Sequence, residues 1–240
     1  MMTRADYRER LERLREAVVA MGTLVAERLA DAITALFTDD RTLANEIIDG
    51  DDTVNDRYLH IERECLDLLA LYQPVAGDLR FVVAAFQIVT DLERVGDLAT
   101  NLAGYTVDSS ETAPTLPDVD FERIAALALE QIEDAIDAFA TDDTAACFAV
   151  AERDDELDDR CGVVMERLVQ TLIGISTDGD SRTGDRSSRN EPVDQPIADV
   201  FTDVSRTFVV VRDLERVGDH AVNVAARTLY ALESSEELLT

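Results

Sequence analysis

Tyr7, Leu11, Leu14, Val18, Met21, Val25, Ile33 and Leu36 fall mostly three or four residues apart, with charged residues between them. This spacing predicts an amphipathic helix of about eight turns. Asp39 and Asp40 interrupt it and suit the cap of a second helix. The apolar stripe of that helix includes Ile47, Val54, Leu59, Ile61, Leu66 and Leu69. Pro74 fits the first turn of a third helix, where its missing N–H costs nothing. That helix is expected to reach about residue 107. Residues 109–120 carry Pro114 and Pro117 and read as a hinge. A fourth helix follows over 121–139, with Ile124, Leu127, Ile132 and Ile136 as its apolar positions. Residues 141–143 end it, and a fifth helix runs to about Ile175. Residues 176–195 are rich in Ser, Gly, Asp and Arg and read as a flexible surface loop. Pro196 then opens the sixth helix. No strand-like alternation is present.

The chain repeats itself. Asp-Leu-Glu-Arg-Val-Gly-Asp stands at 91–97 and again at 213–219, and the match extends without a gap from 73–103 to 195–225. Both copies open with Gln-Pro (Gln73, Pro74; Gln195, Pro196) and end in an Asn four residues past the last Asp (Asn101; Asn223). Asp51-Asp52-x-x-x-Asp56-Arg57 matches Asp154-Asp155-x-x-x-Asp159-Arg160 at a shorter offset, and the polar loop accounts for the difference. A duplication of one helical unit follows. The expected fold is all-α: two tandem, pseudo-symmetric three-helix bundles of six long helices in total. One bundle covers 1–108, a linker 109–120, and the second bundle 121–240 with its loop at 176–195.

Composition narrows the possibilities. The 240 residues carry 51 Asp and Glu against 22 basic residues, all Arg, for a net charge of −29. Such a surface repels nucleic acid phosphates and anionic membranes, which excludes binding through a basic face. An apolar fraction of 46% is enough to fold. Carboxylate excess without lysine suggests adaptation to a salt-rich cytoplasm, where ions screen the self-repulsion. Cys65, Cys147 and Cys161 are odd in number and lack Cys-x-x-Cys spacing, so they read as buried, reduced thiols. The charged start lacks a signal segment, and the apolar run 81–89 is too short for the about 20 residues of a membrane helix. The expectation is a cytoplasmic protein without membrane insertion.

The repeated segment is acidic, and its chemistry points to metal. Residues four apart share a helix face, so Glu93, Asp97 and Asn101 form one column of oxygen donors, and Glu215, Asp219 and Asn223 a second. Asp52/Asp56 and Asp155/Asp159 on the preceding helices have the same spacing. Two carboxylate pairs side by side repel unless a cation neutralises them, and oxygen donors favour Mg, Ca, Mn or iron. On so acidic a chain such pairs also arise on plain solvated faces. Gly96 and Gly218 mark close approach, since Gly within a helix costs about 1 kcal/mol; a neighbouring helix explains that as well as a ligand does. Arg94 and Arg216 suit bracing of the carboxylates. His60 and His220 are possible additional ligands, each present in one copy alone.

Gln73-Pro-Val-Ala-Gly-Asp-Leu-Arg80 followed by Asp91-Leu-Glu-Arg-Val-Gly-Asp97-x-x-x-Asn101, with the second copy 213–223, resembles the PhoU family of phosphate-signalling regulators. The resemblance spans nearly the whole chain. It implies a multinuclear metal cluster in each bundle, of iron or zinc (manganese or magnesium being possible). The ligand pairs would be Asp52/Asp56 with Glu93/Asp97, and Asp155/Asp159 with Glu215/Asp219. It further implies a non-enzymatic negative regulator of phosphate uptake, a homodimer acting on the ATPase subunit of a phosphate ABC transporter and, in bacteria, on a sensor kinase. This chain departs from the pattern where Gly-Asp-Leu-Arg at 77–80 becomes Asp-Val-Phe-Thr at 199–202, and in its loop at 176–195. The rival readings are a metal-free helical adaptor and a di-iron carboxylate oxidase. The oxidase needs Glu-x-x-His pairs, which the chain lacks. No nucleophile–base arrangement or phosphate-cradling loop points to an enzyme.

Overall fold

The computed structural model describes residues 4–108, 120–180 and 195–239, and among them the only regular structure is helical. There are seven such helices: α1 (Arg4–Thr38), α2 (Arg41–Asp49), α3 (Asp52–Tyr72), α4 (Ala76–Asp108), α5 (Phe121–Thr141), α6 (Thr144–Asp180) and α7 (Gln195–Glu233). Six correspond to the expected helices, and the short α2 arises from a break in the second. Asp40 caps α2 as expected, accepting hydrogen bonds from the backbone N–H groups of Thr42 and Leu43, both at 3.0 Å. The expected second helix then stops at Gly50. Arg28 of α1 adds side-chain hydrogen bonds to two carbonyls at the break, its Nη1 donating to Gly50 O at 3.1 Å and Nη2 to Ile47 O at 2.5 Å, beside the backbone bonds these carbonyls accept from Thr53 N and Gly50 N. A Cβ at 50 would lie 2.8 Å from Arg28 Nη1, so a larger residue would have to displace the arginine tip from this contact. α3 begins just beyond, with Asp51 at its N-cap position.

Other boundaries moved for local reasons. Gln73 (φ 48°) ends α3 in the left-handed region, and Ala76 (φ 50°) is also left-handed, so Pro74 lies in the turn ahead of α4 rather than in its first turn. Pro196 does fall in the first turn of α7. Asp142 (φ 55°) ends α5. The Asp143 carboxylate accepts from Ala145 N and Ala146 N to start α6. α6 continues to Asp180, so residues 176–180 are helical where a loop was expected. The rest of that loop (181–194) and most of the expected hinge (109–119) lie outside the described residues.

α4 and α7, the two copies of the repeat, lie against each other at the centre. α1, α2 and α3 cover α4, and α5 and α6 cover α7, while α1 also reaches α5. One buried cluster therefore runs from Leu14 to Leu229 through both repeats, including Met21, Leu29, Ile88, Leu98, Leu127 and Leu157. Ile124, Leu127, Ile132 and Ile136 are buried as their spacing predicts, whereas Leu59 and Leu66 stand exposed on α3. Cys65, Cys147 and Cys161 are buried and free. Burial pushes their thiols up to about 12, 11 and 12, so they stay protonated and inert. Among the described residues no helix is long and apolar enough to cross a membrane.

Candidate metal centre

The acidic columns are placed by close packing of α3 on α4 and of α6 on α7. A Cβ on Gly96 would lie 3.0 Å from Val54 Cγ1, and one on Gly218 would lie 2.6 Å from Leu157 Cδ2. The two glycines thus admit the apolar knob of the neighbouring helix. With Val54 and Leu157 pointing inward, the residues three before and one after each knob flank the contact. These are Asp51 and Asn55 on one side, Asp154 and Asp158 on the other.

This packing decides which acids meet. In the first unit Glu93 and Asp97 face Asp51. Burial, the Asp97 charge and the Asp51 charge raise the Glu93 carboxyl, while Arg94 and His220 oppose the shift; burial and Asp51 raise Asp97. Asp51 accepts from Thr100 Oγ1 at 2.8 Å and, more weakly, from Asn55 Nδ2 at 3.5 Å. In the second unit Glu215 and Asp219 face Asp154 and Asp158. Burial raises Glu215, helped by Asp158 and Asp219, and raises Asp158, helped by Asp219, Asp155 and Asp159. Asp154 is pushed to about 6 by burial, with the charges of Asp158, Asp219 and Asp155 adding to it and a hydrogen bond from Gln131 opposing. Gln131, fully buried, donates from Nε2 to Asp154 Oδ1 at 2.8 Å and to Val150 O at 3.3 Å, and its Oε1 has no partner.

The structure pairs Glu93 with Asp97 on α4 and Glu215 with Asp219 on α7; Glu93, Glu215, Asp51 and Asp154 are half-buried, whereas Asp97, Asp219 and Asp158 are exposed, as are the expected partners Asp52, Asp56, Asp155 and Asp159. Asp155 and Asp159 line an outer cleft of about 660 Å³ with Asp120, Ile124 and Glu152. The expected acids obey four-residue spacing, and so do Asp154 and Asp158 in the second unit, whereas in the first unit Asn55 stands four residues past Asp51. The apolar knobs Val54 and Leu157 place Asp51 and Asp154 nearest the helix contact. Among the described residues no three carboxylate, imidazole or thiol groups stand close enough to hold an ion as the side chains lie. Oxygen donors of this kind suit a hard cation.

The first Asp of each motif has a separate role that spacing did not reveal. Asp91 (8% exposed) on α4 accepts from His220 Nδ1 at 2.9 Å and from Asn223 Nδ2 at 3.3 Å, both on α7. Asp213 (0% exposed) on α7 accepts from Tyr105 of α4 at 2.8 Å and pairs with Arg212 at 3.1 Å and Arg216 at 3.8 Å. Each copy thus holds the other through a buried carboxylate. Arg216 braces this contact rather than the acidic column, and Asn223 is spent on Asp91. His60 is exposed and lines a cleft of about 190 Å³ with Arg10, Arg13 and Glu64. It is not part of either acidic group.

The sequence profile of the PhoU domain matches residues 18–106 and again 121–228. The chain belongs to the PhoU family. The proteins named phosphate-specific transport system accessory protein PhoU homolog in Caulobacter vibrioides and Aquifex aeolicus are similar to it. The first is 31% identical over 232 residues, covering 96% of this chain and 91% of the relative. The second is 39% identical over 149 residues, covering 62% and 67%. The crystal structure of PhoU from Pseudomonas aeruginosa superposes with a TM-score of 0.81 at 28% identity, over 95% of this chain and all of that one. The two PhoU matches each take in one acidic column: Glu93 and Asp97, then Glu215 and Asp219.

Proposed function

We propose that this chain is an accessory regulator of phosphate transport that restrains uptake when phosphate is plentiful, without enzymatic activity of its own. Its match over nearly full length to relatives named as accessory proteins of the phosphate-specific transport system supports the role. In this reading a homodimer docks on the ATPase subunit of the transporter, with a sensor kinase as a second partner where one exists. Each unit holds a metal cluster, of iron or zinc, with manganese or magnesium as alternatives. The single observation that carries the metal reading is the pair of acidic groups at equivalent places on the two units. Asp51, Glu93 and Asp97 form the first; Asp154, Asp158, Glu215 and Asp219 form the second. Burial and mutual repulsion raise the proton affinity of Glu93, Asp97, Asp154, Asp158 and Glu215, which leaves a demand for positive charge. Bound cations would draw α3 to α4 and α6 to α7 and set the surface the partner meets.

Phosphate uptake in the host cell tests both parts. A strain lacking the gene should take up phosphate at a high rate in phosphate-rich medium, and the wild-type gene should restore repression. A gene carrying Glu93→Gln, Asp97→Asn, Glu215→Gln and Asp219→Asn should fail to restore it, although its product accumulates. Restored repression by that variant would leave a metal-free adaptor. Normal repression in the deletion strain would remove the regulatory role itself.

A further inference from the structure

The acidic column of α7 continues toward the start of the helix as an apolar stripe. Phe201, Phe208 and Glu215 follow one another at seven-residue spacing, so they share one face. Both phenylalanines are exposed, at 59% and 46%. α6 and α7 meet at Leu157 and Gly218. They run antiparallel, since the Glu215 charge acts on Cys161, each about one turn along from that contact. Val169 lies about 18 Å beyond Leu157 along α6, and Phe208 about 15 Å before Gly218 along α7, at 1.5 Å per residue. The two therefore stand beside each other along the seam. Val169 is 52% exposed and shares its face of α6 with Asp158, three turns earlier. The first unit repeats the pattern. Leu79, Phe86 and Glu93 have the same spacing on α4, and Leu66 occupies on α3 the place of Val169 on α6. Leu66 and Leu79 are exposed and Phe86 is half-buried. Scattered apolar side chains on a surface are ordinary, but a line of them at helical spacing, present in both copies of the repeat, marks a contact surface.

From Phe201 to Asp219 the stripe extends about 27 Å. One end is apolar. The other carries Glu215 and Asp219, with Asp158 of α6 close enough for its charge to act on Glu215 and to be acted on by Asp219. Arg212 and Arg216 border this end, but the buried carboxylate of Asp213 holds both. An occupant covering the whole stripe must bury apolar side chains at one end and present positive charge at the other. A second copy of this chain, at a net charge of −29, brings the wrong sign, and so does an anionic bilayer. We propose that the outer face of the α6–α7 seam docks a helix of a partner protein, about five turns long, whose facing stripe is apolar at one end and rich in Lys or Arg at the other. Such a helix seats its apolar side chains on Phe201, Phe208 and Val169 and its charges on Glu215, Asp219 and Asp158. The first unit offers the same face with less apolar surface. The inference rests on the regulator reading for the partner's role and adds to it the docking face; it makes no use of bound metal.

A fluorescein-labelled helical peptide of about 18 residues, or five turns, tests it. One face carries Leu in the first half and Arg in the second, and fluorescence anisotropy follows binding to the full-length, metal-stripped protein. The variants are Phe201→Gln with Phe208→Gln, and Val169→Gln alone. All three positions are exposed, and thermal melting checks that each product folds. The wild type should bind the peptide, less tightly as salt rises from about 0.1 to about 0.5 M. The paired Phe variant should bind at least about 10-fold more weakly, as loss of two aromatic anchors requires, and Val169→Gln should weaken binding to a smaller extent. Failure of the wild type to bind, equal binding of a peptide with the same residues shuffled, or wild-type affinity in the folded Phe variant overturns the docking face. A wild type that sediments as a dimer beside a monomeric Phe variant gives the stripe to a second copy, and anionic vesicles that bind the wild type but not the variant give it to a membrane; either result overturns the partner helix. In the uptake assay above, a gene carrying both Phe substitutions should fail to restore repression. Full restoration overturns the docking face and leaves the regulatory role standing. A deletion strain with normal repression removes the role, and the peptide titration still decides the face.

Discussion

Asp154 keeps its proton to about pH 6, and the reason is local: burial behind Leu157 and three neighbouring carboxylates outweigh one hydrogen bond from Gln131. A carboxyl whose folded value lies above its unfolded one binds protons more tightly in the native state. Its contribution to stability is therefore present at low pH and is lost as pH rises from about 4 to about 6. Glu93, Asp97, Asp158 and Glu215 shift in the same direction and add to the trend. The metal-stripped protein should melt at a lower temperature at pH 7 than at pH 5, the opposite of a protein stabilised by ion-paired carboxylates. Asp154→Asn keeps the oxygen that Gln131 donates to and removes the charge, so it should raise the melting temperature at pH 7 and flatten the profile. A melting temperature that climbs steadily from pH 5 to 7 in the stripped protein would contradict this account of the site. The same residue shows how far the sequence was legible. Spacing found the acidic pairs, and it could not choose between Asp154/Asp158 and Asp155/Asp159, because both satisfy the four-residue rule. Leu157, which faces α7, leaves Asp154 half-buried beside it, while Asp155, Asp158 and Asp159 are exposed.

At the scale of elements, helix identity followed from periodicity, since long apolar stripes at 3.6-residue spacing have one way to be buried. The break in the second helix did not, because its cause is tertiary. Gly50 is tolerated in a helix at modest cost, and the break there is accompanied by hydrogen bonds from Arg28 of α1, a partner that local spacing does not reveal. Glycines elsewhere separate the two effects. Gly104 and Gly162 lie in helices with nothing within 4 Å of an added Cβ. Alanine there should stabilise by up to about 1 kcal/mol through helix propensity. At Gly218 the same Cβ would meet Leu157 at 2.6 Å, Asp154 at 2.8 Å and Gln131 at 3.1 Å. Overpacking of this kind costs about 1–3 kcal/mol, which exceeds the propensity gain. Gly218→Ala should therefore destabilise, and it should also loosen metal binding in the second unit. Urea unfolding of the three single variants measures the contrast. A stabilised Gly218→Ala would mean that α6 and α7 lie farther apart than described, and the acidic register argued from Leu157 would fall with it.

At the scale of the whole molecule two electrostatic terms compete, and salt separates them. A net charge of −29 spread over one compact body is a general repulsion that any electrolyte screens, with a Debye length falling from about 10 Å at 0.1 M to about 3 Å at 1 M. The inward acidic groups are a local repulsion between partly buried charges, which screening reaches poorly and a bound cation relieves directly. The shared core couples the two. Because α4 and α7 pack along the centre and exchange the buried contacts Asp91 with His220 and Asp213 with Tyr105, strain at either acidic group is felt by the same cooperative unit. Raising sodium chloride from 0.05 to 1 M should increase the melting temperature gradually, and the quadruple carboxylate variant should follow a parallel curve from a higher start. Millimolar manganese or zinc, added at constant ionic strength, should give a further saturable rise in the wild type alone, growing with the logarithm of free metal as specific binding to the native state requires. A rise that tracks ionic strength only, equal for sodium and for the divalent ions, would assign the acidic repeats to general surface charge. A saturable rise confined to the wild type assigns them to metal.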